Sequence, residues 1–258
     1  VGQLEDAISS KTKAIMPVHL NGRICQMDKI ESLAKQHSLV IIEDSAQALG
    51  AKYHGKMGGT FGVSGCFSFF PAKLLGAAGD GGLVITNDDN IFKKVMLLRD
   101  HGRLTKNDFA FFGFNSRLDN LQAALLNLKL KTYDEALERR REIAKLYHNG
   151  LSGLPLKLPI PPMDDGLHYD VFQNYVIHTK KRDELVAYLH VHGIETLISW
   201  TKPVHKNAGL NLNHFSLPIT EKLCREVVSL PMNTELENQQ VDYWILKSID
   251  LKSSLIQE

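Results

Sequence analysis

The sequence predicts an α/β protein with a large amino-terminal domain and a smaller carboxy-terminal α/β domain, and three observations carry that prediction. First, residues 14–44 alternate strand, helix and strand at the spacing of a βαβ unit, which implies a parallel sheet buried on both faces. Second, Leu118 to Tyr147 carries one long helical pattern. Third, Gly150-Leu-Ser-Gly153 and the prolines Pro155, Pro159, Pro161 and Pro162 stop that pattern and make an extended crossing. The boundary is therefore expected near residue 150, giving domains of residues 1–150 and 151–258.

The elements follow in order. Val1 to Ile8 reads as a short helix already in progress. Ala14-Ile-Met-Pro-Val-His19 is a short apolar run closed by Asn21-Gly22, hence a buried strand and a turn. Asp28 to His37 places Ile30, Leu33 and Ala34 on one helical face, and Leu39-Val-Ile-Ile42 is a second apolar strand ending in Glu43-Asp44. Open α/β sheets bind ligands beyond the carboxyl ends of their strands, so topology alone places Asp44 at the mouth of a site. The glycine-rich stretch Gly50 to Gly65 reads as loop or short hairpin, followed by strands at Cys66–Phe70 and Gly82–Thr86. Asn87-Asp-Asp89 caps a helix bearing Ile91, Val95 and Leu98. Phe109, Phe111, Phe112 and Phe114 mark an irregular aromatic loop, suited to a pocket wall, a subunit contact or the core. In the long helix, Leu118, Leu121, Leu125 and Leu128 form an apolar stripe, and Glu138-Arg-Arg-Arg-Glu142 its solvated face. Beyond the crossing, Asn174–Ile177 and Ile194–Trp200 read as strands, and Lys181–His192, Thr220–Val228 and Asn238–Leu251 as helices.

Composition excludes several classes. With 30 basic against 29 acidic residues there is no basic field for nucleic acid. No apolar run reaches the length of a membrane span. Cys25, Cys66 and Cys224 are an odd number, far apart, in no paired motif; they read as reduced thiols of a cytoplasmic protein rather than as a disulfide framework or a metal site.

One stretch calls for chemistry: Cys66-Phe-Ser-Phe-Phe-Pro-Ala-Lys-Leu-Leu-Gly-Ala-Ala-Gly-Asp-Gly-Gly82. Lys73 sits in an apolar run, where an ammonium is costly unless paired, neutralised or used covalently. The bland alternative is a lysine at a strand end that snorkels to water. A pyridoxal phosphate site would need such an amine, a carboxylate for the pyridine nitrogen, and hydroxyl and N–H groups for a phosphate. Lys73, Asp44, Gln47 and Ser68 offer that set. A generic phosphate loop around Gly79-Asp-Gly-Gly82 is the weaker reading, since no helix cap follows it.

Glu43-Asp-Ser-Ala-Gln-Ala-Leu-Gly50, Phe67-Ser-Phe-Phe-Pro-Ala-Lys-Leu-Leu-Gly76, Gly79-Asp-Gly-Gly82 and Gly113-Phe-Asn-Ser-Arg-Leu-Asp-Asn-Leu-Gln-Ala-Ala124 resemble, in order and spacing, the DegT/DnrJ-type sugar aminotransferases. The resemblance runs from near Val1 to beyond Met232 and implies the fold type I architecture of enzymes dependent on pyridoxal 5'-phosphate. It implies that Lys73 forms the Schiff base and moves the proton, Asp44 pairs with the pyridinium nitrogen, Gln47 meets the ring or its 3-hydroxyl, and Ser68 binds phosphate. Asn115 would reach the cofactor of a neighbouring subunit, making a homodimer with shared sites, and His19 matches a recurrent histidine near the cofactor. Arg117, His168 and His205 fall in regions that face the sugar. The implied reaction moves an amino group, usually from glutamate, to a keto group of a nucleotide-linked deoxysugar. Members of the family are longer at the amino end, where part of the phosphate cup and several strands lie. The chain is therefore expected to be a fragment, to be completed by a second chain, or to be a non-catalytic or regulatory relative, and to bind the cofactor weakly or not at all by itself.

Overall fold

The computed structural model describes residues 1–163 and 165–255, with side chains described as far as residue 250. It divides into two compact units, Val1–Glu138 with Met163–Gln173, and Arg139–Pro162 with the chain from Asn174 onward.

In the first unit, β1 (Ala14–Ile15), α1 (Met27–Gln36) and β2 (Val40–Asp44) form the expected βαβ unit. Residues Lys52–Tyr53 (β3) and Lys56–Met57 (β4) make a small hairpin, followed by β5 (Ser64–Ser68) and β6 (Gly82–Ile85). The main sheet has the order β1-β2-β5-β6. Its first three strands are parallel, with Ala14 opposite Val40 and Asp44 opposite Cys66. β6 returns antiparallel to β5, because the chain from Ser68 to Gly82 turns back through a loop with no crossover helix.

Helix α2 (Asp89–Leu98) starts at Asp88, whose carboxylate accepts from the amides of Asn90 at 2.8 Å and Ile91 at 3.0 Å. The expected long helix is two, α3 (Asn120–Leu130) and α4 (Tyr133–Leu151), broken at Lys131-Thr132. The leucine stripe on α3 is not core: Leu126 is buried, whereas Leu121 is 85% exposed and Leu128 also faces solvent. The amino-terminal helical pattern shrinks to a single 3-10 turn, Glu5–Ala7. Ile24, Met27, Ile30, Ile41, Tyr53, Phe69, Leu75, Tyr133 and Val171 belong to one buried cluster under the sheet. Strand β7 (His168–Tyr169) adds to β3 and ends this unit.

The second unit pairs β8 (Tyr175–His178) antiparallel to β9 (Val227–Leu230), with α5 (Arg182–Val191), α6 (Pro218–Glu226) and α7 (Asn238–Leu255). The expected strand Ile194–Trp200 is reduced to one bridge, Leu197 to Ser229. β9 takes the residues read as the end of α6, since Val227 and Val228 favour extended backbone. Tyr147 is fully buried here beside Tyr175, and its hydroxyl donates to the carbonyl of Pro231 at 3.0 Å. No helix among the described residues is long and apolar enough to cross a membrane.

Candidate active site

The site begins with two adjacent carboxylates. Successive residues of a strand face opposite sides of its sheet. On β2 this sends Ile41 and Glu43 into the interior and leaves Ile42 and Asp44 on the half-buried face.

Glu43 is wholly inside, at 0% exposure. Its Oε1 accepts from the amides of Phe61 at 2.6 Å and Gly62 at 2.7 Å, and its Oε2 from the amide of Gly59 at 2.7 Å. His19, equally buried, places Nε2 2.8 Å from the same Oε2. Burial raises the carboxyl pKa of Glu43, but the hydrogen bonds from His19, Gly62 and Gly59 lower it, and the net direction is down. The loop can deliver three amides to one carboxylate because Gly59 adopts φ +86°, a conformation a side chain resists.

Burial opposes a charge on His19, whereas the side chains of Cys25 and Glu43 favour it. The amide of Cys25 works the other way: it donates to Nδ1 at 3.2 Å and so requires a lone pair there. With a lone pair at Nδ1, the ring is the neutral Nε2–H tautomer facing Glu43. Both ring nitrogens are therefore taken up by protein groups, and the structure gives His19 a supporting position under the sheet ends.

Asp44 sits at the carboxyl end of β2, with Oδ1 accepting from the amide of Ala46 at 3.0 Å. Gln47 follows on the same turn, its Oε1 accepting from the amide of Asn21 at 2.7 Å. Ser68 closes β5, the neighbouring parallel strand, and its Oγ accepts from the amide of Phe70 at 3.2 Å. Lys73 is half-buried in the loop leaving β5, where its amide closes a turn onto the carbonyl of Phe70 at 2.8 Å. Asp44, Ser68 and the Lys73 loop thus emerge at the carboxyl ends of adjacent parallel strands, where such sheets bind ligands. Carboxylate, carboxamide, hydroxyl and amine match the pyridine nitrogen, ring oxygen, phosphate and aldehyde of pyridoxal phosphate in chemical kind.

The other sequence candidates have partners of their own. Asn115 bridges to Asp100, and Arg117 pairs with the carboxylate of Asp100 at 3.3 Å. This segment continues from the aromatic loop, whose Phe109, Phe112 and Phe114 face solvent, Phe112 at 102% exposure, so that loop is not a core loop. His168 packs its ring on Tyr53 at 4.7 Å, and Nη2 of Arg23 lies 3.2 Å from its Nδ1. Burial first, and then the Arg23 charge, lower the pKa of His168. His205, in the second unit, is buried with Nε2 3.0 Å from Glu221. Among the described residues, no group of three or more His, Cys, Asp or Glu could hold a metal.

Sequence reasoning did not single out Glu43 or Gln173. Adjacent carboxylates at a strand end followed by a run of glycines could have signalled the first. Nothing local signals Gln173, which lies 99 residues from the amide of Leu74 to which it bonds.

Known proteins share much of this sequence and its fold. A model of the DegT/DnrJ/EryC1/StrS aminotransferase family matches residues 1–248. The chain is 44% identical over 248 residues to a pleiotropic regulatory protein of Geobacillus stearothermophilus, covering 95% of this chain and 67% of that protein. It is 40% identical over 241 residues to a dTDP-3-amino-3,4,6-trideoxy-alpha-D-glucose transaminase of Streptomyces venezuelae, covering 92% of this chain and 63% of the relative. Among solved structures, S. venezuelae DesV in complex with a ketimine intermediate superimposes with a TM-score of 0.90 at 38% identity, covering 96% of this chain and 67% of that one. The chain thus spans 63% to 67% of the length of these relatives. The strand-end cluster and a family match over residues 1–248 lead to one assignment: this chain belongs to the DegT/DnrJ/EryC1/StrS aminotransferase family.

Proposed function

We propose that this chain carries the lysine-bearing part of a pyridoxal-phosphate-dependent aminotransferase that moves an amino group, from a donor such as glutamate, to a keto group of a nucleotide-linked deoxysugar. The observation that carries this is the emergence of Asp44, Ser68 and the Lys73 loop from neighbouring parallel strand ends. The name of the Streptomyces transaminase supports the reaction class and substrate class, and the ketimine intermediate bound to DesV supports the reaction class.

When bound, pyridoxal phosphate supplies the electron sink that makes the carbon bearing the amino group acidic. The chain's own residues do the rest. Lys73 Nζ would hold the cofactor by its aldehyde carbon and would carry the proton at the reacting carbon. The Asp44 carboxylate would keep the pyridine nitrogen protonated. Gln47 has its oxygen committed to Asn21, which leaves its Nε2 to donate to the ring oxygen. Ser68 accepts from Phe70 and so keeps its hydroxyl proton for a phosphate oxygen. His19 acts from beneath, through Glu43. Asn115 and Arg117, on the exposed segment after the aromatic loop, serve the site of a second copy in a homodimer, and His168 and His205 are the candidates for binding the sugar.

A non-catalytic regulatory reading takes its support from the name of the Geobacillus relative. One experiment separates the two. The chain is incubated with pyridoxal phosphate, reduced with borohydride and mapped by peptide mass. The catalytic reading expects modification concentrated on Lys73, lost in Lys73→Ala and weakened at least about tenfold in Asp44→Ala. Modification scattered over surface lysines with Lys73 untouched would overturn it. A glutamate-dependent amination of a nucleotide-linked keto sugar then tests the reaction itself.

A further inference from the structure

The loop that carries Lys73 leaves the sheet at Ser68, so its peptide groups must find partners outside the strand ladder. Several are supplied locally. The amide of Lys73 bonds to the carbonyl of Phe70, and the amide of Ala77 to the carbonyl of Phe69, both at 2.8 Å. Lys129 Nζ donates to the carbonyl of Gly76 at 2.7 Å. The two peptide groups that flank Lys73 are held differently. Gln173 Oε1 accepts from the amide of Leu74 at 2.9 Å, and Gln173 Nε2 donates to the carbonyl of Ala72 at 2.8 Å. One carboxamide, 8% exposed, therefore grips the chain immediately before and immediately after the lysine.

The same segment also supports Gln47. Two residues before Gln173, the amide of Val171 donates to the carbonyl of Gly22 at 3.0 Å. Gly22 follows Asn21, whose amide holds the oxygen of Gln47. Asp170, buried next to Val171, is fixed by an ion pair with Arg23. Residues 170–173 thus brace two groups of the site from a distant part of the sequence.

We propose that Gln173 is a positioning residue for Lys73: its carboxamide fixes the backbone on both sides of the lysine, and so sets where Nζ meets the cofactor. This rests on the functional reading above. A carboxamide suits the task because it presents an acceptor and a donor side by side, the complement of the Leu74 amide and the Ala72 carbonyl. Alanine leaves both unpaired. Ionised glutamate keeps the acceptor but sets a negative oxygen against the Ala72 carbonyl. Protonated glutamate restores both bonds.

The test uses the chain with Gln173→Ala and Gln173→Glu, and two readouts. The first is hydrogen exchange at the Leu74 amide without cofactor. Gln173→Ala is expected to accelerate it about tenfold or more, the effect of losing one buried hydrogen bond. The second is the rate of borohydride fixation of pyridoxal phosphate to Lys73 as a function of pH. It is expected to fall about tenfold or more in Gln173→Ala, and in Gln173→Glu to recover toward the wild-type rate as pH is lowered. A residue that served only general stability would lower the melting temperature without giving the glutamate variant an acid-side recovery. If Gln173→Ala does not fold, the pH profile of Gln173→Glu decides alone. Wild-type fixation rates and an unchanged profile in a folded variant would overturn the positioning role while leaving the functional reading intact. Absence of fixation on Lys73 in the wild-type chain would overturn the functional reading and the positioning role with it; the Leu74 exchange would still report whether the grip itself exists.

Discussion

Replacing Glu43 by glutamine isolates the charge beneath the site from its shape. The carboxylate has four donors around it: the amides of Phe61 and Gly62 on Oε1, and the amide of Gly59 and His19 Nε2 on Oε2. Glutamine keeps one oxygen, which can go on serving Phe61 and Gly62. Its NH2 then faces the Gly59 amide, donor against donor. It also faces His19 Nε2, and the ring cannot escape by moving its proton to Nδ1, because the Cys25 amide points there. Two buried donors are left unpaired at about 1–3 kcal/mol each, so the expected loss is about 2–6 kcal/mol. Against a typical stability of about 5–15 kcal/mol this is a large fraction. Urea denaturation read by far-UV circular dichroism measures the loss, and hydrogen exchange at Gly59 localises it. The sign of the pH dependence follows. The folded pKa of Glu43 lies below its ordinary value of 4.5, so its stabilisation is complete above that pH. It is lost as pH falls through the folded value, and Glu43→Gln should lack that acid limb. A loss under about 1 kcal/mol, or unchanged exchange at Gly59, would refute the account of this cluster.

Two further substitutions test the surroundings. Gly76→Ala would set a Cβ 2.3 Å from the carbonyl oxygen of Pro71, so the Lys73 loop must shift. Fixation of pyridoxal phosphate to Lys73 should fall by roughly a hundredfold, the cost of about an ångström of misplacement, while the melting temperature falls by a few degrees. Asp88→Ala removes the acceptor of the Asn90 and Ile91 amides at the start of α2 and should cost about 1 kcal/mol in a thermal melt, with Lys73 fixation unchanged.

What was legible in the sequence was whatever periodicity and topology control. The βαβ unit, the cap at Asp88 and the place of Asp44 at a strand end follow from short-range pattern, and the structure has them. Less legible was whatever depends on a distant partner. The leucines of α3 satisfy a helical stripe, but a stripe says only that an apolar face exists, not that something covers it; Leu121 and Leu128 are open to solvent. The break at Lys131-Thr132 was hidden because apolar residues resume beyond it at helical spacing. Val227 and Val228 continued an acceptable helical pattern, and only the pairing of Val227–Leu230 with Tyr175–His178 makes them part of a strand.

The pair Glu43-Asp44 shows how far local reading can go. Both are carboxylates at one strand end, and composition cannot divide their labour. The two-residue period of a strand can, because neighbours must face opposite sides. One of the pair must therefore enter the interior, where an ion survives only with several donors. The glycine-rich chain from Gly50 to Gly65 is the one nearby stretch able to bring many amides to a point. That argument gives Glu43 to the scaffold and leaves Asp44 free to face a ligand, with no appeal to relatives. It stops at Lys73, whose flanking peptide groups are held by Gln173 from about a hundred residues away, a contact that no local rule anticipates.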